Sequence, residues 1–161
     1  MTAYNSLSYA QKQPPATGHG FNQLATHLHA TVNVPAGLAT TDTINFGFLP
    51  PNAIVDQVTL KAATQLDSNG APTLTVNLGV ANLAGVAINA TLFSAGLITV
   101  GRAAGASADV TIAPGGRLYK NVSGLKQVIQ ASLGAAAATS LAGTLELDME
   151  FFLEDVVGSA P

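Results

Sequence analysis

Three histidines, three alternating acids and one Asx-rich turn are the residues of this chain whose types and spacing offer chemistry. His27 and His29 stand two apart. On a strand both would project to one face, where a pair of imidazoles can share a metal ion. A third ligand would have to come from elsewhere, such as His19. Glu146, Asp148 and Glu150 also alternate, a spacing open to a calcium or an acid–base role. Their strict interleaving with apolar residues is already explained by a strand with one wet face. Asp67-Ser68-Asn69-Gly70 opens like a calcium loop but lacks the later ligands, including the closing acid. It is expected to be a hairpin turn, since Asn-Gly accepts the positive φ angles such turns require.

The remaining catalytic signatures are missing. Ser and Thr are plentiful, but none sits in a Gly-x-Ser-x-Gly elbow or beside an evident base. Ala113-Pro114-Gly115-Gly116-Arg117 lacks the spacing of a phosphate loop and no Lys-Ser/Thr pair follows it, so turn chemistry accounts for its glycines. Asn89-Ala90-Thr91 and Asn121-Val122-Ser123 match glycosylation acceptors, which mean little without a secretion signal. The residues therefore point to a non-enzymatic protein with no cofactor and no metal.

Such a chain must work through its surfaces, and its composition describes those surfaces. Its 161 residues suffice for one domain. It has no cysteine, so the fold rests on burial and backbone hydrogen bonding alone. Charged residues make up 9%, against about 25% in an ordinary soluble domain. Hydrophobic residues make up 48%, and a surface so poor in charge suits one covered by other subunits. A net charge of −3 with six scattered basic residues argues against nucleic acid, which needs clustered Lys and Arg. The opening MTAYNSLSYAQKQPP lacks the basic-then-apolar order of a signal peptide. No stretch approaches the roughly 20 apolar residues of a membrane-spanning helix.

The elements expected to position these side chains are strands. Residues 1–26 are rich in Gln, Asn, Ser, Pro and Gly and show no periodicity. Pro14-Pro15 holds them extended, and Tyr4, Tyr9 and Phe21 are spaced as anchors. They are expected to form an extended arm that orders against a partner, with residues 27–161 as a β-sandwich domain. In Leu28–Val34, Leu28, Ala30, Val32 and Val34 share one face while His29, Thr31 and Asn33 share the other. Thr43–Leu49 places Ile44, Phe46 and Phe48 together and stops at Pro50-Pro51. Ala53–Ala62 is β-branched, and Thr73–Val80 turns Leu74, Val76, Leu78 and Val80 inward. Ala87–Gly96 is open between one or two helical turns and a long loop. Ala108–Ala113, Arg117–Val122 and Gln127–Leu133 follow. Gly143–Leu153 is the clearest strand, with Leu145, Leu147, Met149, Phe151 and Leu153 opposite the three acids. About eight short strands divided by Pro, Gly and Asn turns indicate an all-β, jelly-roll-like sandwich.

In Phe48–Val58 a strand ends at the corner Leu49-Pro50-Pro51-Asn52-Ala53 and a new apolar strand begins. Ala71–Val80 then carries the Thr73-Leu74-x-Val76-x-Leu78-Gly79 strand, and Leu92–Leu97 follows it. These three segments resemble small head proteins of tailed phages, the decoration or capsid cement family. The resemblance covers about a third of the chain and consists of structural residues. Its loop Gly79–Gly85 is poorer in acid than in relatives. The resemblance implies a homo-oligomer, trimer or dimer, that binds the major capsid protein on the outer surface of a virion and clamps neighbouring subunits. Tyr4, Tyr9, Phe21, His27 and His29 are then the candidate interface residues. A carbohydrate- or receptor-binding module of a phage fibre or tail is the alternative, although no Trp and three Tyr offer few sugar platforms.

Overall fold

A computed structural model of the protein describes residues 2–5, 26–94, 98–103, 107–109 and 119–153. Tyr9, His19, Phe21 and Pro14-Pro15 lie outside the described residues, as do 110–113 and 117–118 of the expected strands. Nine strands are described: β1 Ala3–Asn5, β2 Thr26–Val34, β3 Thr43–Leu49, β4 Ala53–Ala62, β5 Thr75–Ala81, β6 Ala87–Asn89, β7 Ser107–Asp109, β8 Gln127–Ala135 and β9 Gly143–Leu153. They form two sheets, ordered β1-β3-β8-β5-β6 and β2-β9-β4-β7. All pairs are antiparallel except β1 with β3. The chain changes sheet at nearly every connection, and setting β1 aside, the two orders are those of a jelly roll.

The period-2 pattern builds this sandwich directly. β2 alternates buried and exposed residues without a break, and Leu28, Ala30, Val32 and Val34 enter the core. β9 adds Leu145, Leu147, Met149 and Phe151 from the same sheet. Leu74, Val76, Leu78 and Val80 face them from the other, all at most 1% exposed. Burying each of these Leu, Val, Met and Phe side chains fully is worth roughly 1.5–3 kcal/mol, so a continuous core of this kind holds two sheets together without a disulfide.

Five expectations change in the structure. The strand pattern of β3 does not run through. Its register to β8 shifts between Asn45 and Gly47, and that bulge reverses the facing of every later side chain. Ile44 and Phe46 enter the main core with Leu49, whereas Phe48 joins Val128 and Ala81 in a separate cluster. Leu66–Gly70 is not a hairpin, because β4 and β5 lie in different sheets. The segment is a crossover, and neither Asn69 nor Gly70 has a positive φ. Ala87–Gly96 contains the short strand β6 followed by a turn. In Arg117–Val122, Lys120 makes one isolated bridge to Ile54 rather than a strand. Finally, Leu153 at the end of β9 is 36% exposed instead of buried.

The aperiodic N-terminal segment also holds a strand. β1 adds to the edge of β3 in parallel, Ala3 opposite Thr43 and Asn5 opposite Asn45. Asp42 prepares that edge. Its carboxylate accepts the N–H groups of Thr2 and Ala39 at 2.9 and 3.0 Å, and these two donors lower its pKa. Tyr4 is half-buried and packs against the core of its own chain.

Candidate functional site

The exposed face of the β2-β9-β4 sheet gathers most of the polar side chains singled out in the sequence. The register places His27 opposite Glu150, His29 opposite Asp148 and Thr31 opposite Glu146. On the other side of β9, Gln57, Thr59 and Lys61 meet the same three acids. The Nδ1–H of His29 donates to Asp148 Oδ1 at 2.6 Å, with both side chains about three-fifths exposed. His27 Nε2 lies 3.9 Å from Glu150 and Lys61 Nζ lies 3.5 Å from Glu146. Thr144 Oγ1 donates to Asn33 Oδ1 at 3.1 Å, continuing the row. Each basic group opposes an acid, which is the cross-strand arrangement that stabilises a sheet face.

The two histidines and the alternating acids are thus parts of one surface. A depression of about 190 Å³ between them is lined by His27, Gln57, Thr59, Asp148, Met149 and Glu150. Among the described residues no three His, Asp or Glu side chains are placed to hold a metal ion. The pairing has a chemical effect: the carboxylate opposite His29 takes up its Nδ1 in a hydrogen bond. Sequence spacing alone does not reveal that β2 and β9 are neighbours, because they are separated by the whole domain.

Asp67 has a different role from either a turn residue or a calcium ligand. It is fully buried. Oδ1 accepts the backbone N–H groups of Asn69 and Thr139, and Oδ2 accepts those of Thr73, Leu74 and Ala138. Burial would raise its pKa, but the N–H donors of Thr139, Leu74, Ala138 and Thr73 together hold the carboxylate well below its ordinary range. A cation needs lone pairs around it, and these neighbours present hydrogens instead. The site ties the β4–β5 crossover to the segment after β8. Arg102 supports the same end of the sandwich through Nε to Leu74 O at 2.7 Å and Nη2 to Thr73 O at 3.2 Å.

At the opposite end, Asn121 does similar work. It is fully buried, and its Nδ2 donates to the carbonyls of Leu49, Pro50 and Leu125. Its Oδ1 accepts from Ser123 N and Oγ. An amide committed in this way is a loop clamp and is not presented for glycosylation.

This end also carries apolar side chains that the fold leaves in water. Leu83, Val86 and Ile88 lie in the β5–β6 hairpin, and Val122 and Leu125 lie in the loop before β8, with exposures of 54–78%. Ala81 pairs with Val128, and Asn121 N donates to Ala53 O, so both loops and the exposed Leu153 share one end of the sandwich. The spacing of these residues gave no periodic signal, since loop positions follow no period. Grouped apolar exposure of this kind marks a surface that meets another protein more often than one that meets only solvent.

No protein-family model matches the chain, and no curated protein matches it. Two solved structures do. One is a chain in the capsid of Ralstonia phage GP4, at 26% identity and a TM-score of 0.71, covering 95% of this chain and 99% of that one. The other is a chain of the cyanophage Pam1 capsid asymmetric unit, at 28% identity and a TM-score of 0.68, covering 90% and 96%. Both neighbours are phage capsid chains. The likeness runs over nearly the whole length of each protein, so it concerns the entire sandwich rather than a shared motif.

Proposed function

We propose that this chain is a structural, non-enzymatic virion protein that binds the outer surface of a phage capsid and stabilises the lattice by clamping neighbouring capsid subunits. The observation that carries the reading is its similarity, end to end, to chains found in two phage capsids. The physical features agree with it. The surface is poor in charge, the histidines lie opposite acids of the neighbouring strand, and one end of the jelly roll presents Leu83, Val86, Ile88, Val122 and Leu125 to solvent. That end is the surface assigned to the shell. Binding only the assembled lattice stabilises it by mass action, and several weak contacts per oligomer combine through effective concentration.

The test is co-sedimentation of the purified protein with empty shells that lack it, followed by a heat challenge of the loaded shells. The expected result is saturable binding and a higher disruption temperature. Val122→Asp with Leu125→Asp should weaken binding by tenfold or more, as loss of two apolar contacts worth about 1 kcal/mol each implies. Shells that bind no protein, or bind it without gaining resistance, would remove the clamping role.

A further inference from the structure

The sheet edges of this fold are unequal. Among the described residues β1, β6 and β7 each span three residues, and short strands are the ordinary way to blunt an edge. The fourth edge is β2. It runs nine residues, Thr26–Val34, in unbroken register with β9 and without a bulge. Its sequence THLHATVNV contains no Lys, no carboxylate, no Pro and no Gly, so it carries none of the side chains that usually protect an edge. Among the described residues, its second edge makes no backbone hydrogen bond. A long edge strand with regular register and no such side chains is a template for another strand.

We propose that β2 pairs antiparallel with β2 of a second copy, about a two-fold axis at Ala30, the middle residue of the strand. The two four-stranded sheets then join into one continuous sheet. The occupant follows from self-complementarity. In this register His29 faces Thr31 of the partner and His27 faces Asn33, so no like charges meet on the wet face. On the core-facing side Leu28 faces Val32, continuing the apolar row across the axis, and Thr26 faces Val34. A closed isologous contact uses the β2 edge of both copies, which leaves only the β7 edges at the ends of the joined sheet. The inference stands apart from shell binding, because it concerns a different surface from the apolar end.

The chain has no cysteine, which makes a register-specific cross-link possible. The double variant His29→Cys with Thr31→Cys places each thiol opposite its counterpart across the axis. Mild oxidation should give a disulfide-linked dimer in high yield, while His29→Cys alone should give little. In parallel, His29→Lys with Thr31→Lys sets like charges opposite one another. Within one chain each Lys still faces an acid, Asp148 or Glu146, so the monomer keeps its fold and its far-ultraviolet circular dichroism. By sedimentation equilibrium this variant should dimerise roughly tenfold more weakly or less, since opposed like charges are destabilising at each of the symmetric pairs. A wild-type monomer at every concentration would overturn the proposal. So would an oligomer indifferent to the Lys pair and not cross-linked by the Cys pair. If the wild type is monomeric and only shell binding is lost in the Lys variant, the edge serves a strand of the shell, and the two-fold pairing is refuted while the proposed function stands.

Discussion

At the scale of single residues, Asp67 illustrates how a polar side chain can be buried without a charged partner. Its carboxylate is solvated by backbone N–H groups from two separate loops. Asp67→Asn replaces one acceptor oxygen by a donor that faces N–H groups, so the melting temperature at neutral pH should fall clearly. The pH dependence has a definite sign. The folded pKa of Asp67 lies below the ordinary value of 3.8, so its contribution is complete above that value and is lost as pH falls towards the folded one. The gap in melting temperature between wild type and variant should therefore narrow as pH is taken below 3.8. A gap that stays constant would place the effect in packing instead. His29 is the contrasting case. Its contact to Asp148 is short but exposed on both sides, and exposed pairs are worth about 0–1 kcal/mol. His29→Ala should lower the unfolding free energy measured in urea by no more than that.

At the scale of elements, close backbone approach decides what sequence period cannot. Gly79 lies in β5, and a Cβ there would collide with the carbonyl of Asn89 and the backbone of Ala90. The segment after β6 therefore crosses directly over β5, where Phe93 N–H donates to Leu78 O. Phe93 then enters the core, edge-on to Tyr119 at 6.1 Å between ring centroids. Gly79→Ala should destabilise the domain by about 1–3 kcal/mol through overpacking, measured by urea unfolding. The β3 bulge is a second case. Alternation read along Thr43–Leu49 assigns Phe48 to the core, but one register shift hands that place to Leu49. Without the partner strand β8 in view, a run of apolar residues on both faces carries no mark of where its phase changes.

At the scale of the whole molecule, the sandwich separates its stable parts from its candidate contacts. Val122, Leu125 and Leu83 add nothing to the core, so Leu125→Asp should change unfolding free energy by no more than about 0.5 kcal/mol, as for other surface substitutions. A larger loss in thermal denaturation would mean that this loop serves the fold rather than a partner. What the sequence by itself determined was the all-β class and the bounds of β3, β4 and β9, because strict alternation, β-branched runs and proline corners act locally. It also determined which side chains of β2, and of β9 as far as Phe151, face inward. Tertiary structure alone decided that β2 and β9 are adjacent, which turns two unrelated clusters of His and acid into one paired surface. It likewise decided that the Asp67 turn is a crossover anchor and that residues 3–5 are a strand. Each of these depends on contacts between segments far apart in the chain. Such contacts leave no period, since the free energy that selects them comes from the partner surface and not from the segment's own residues.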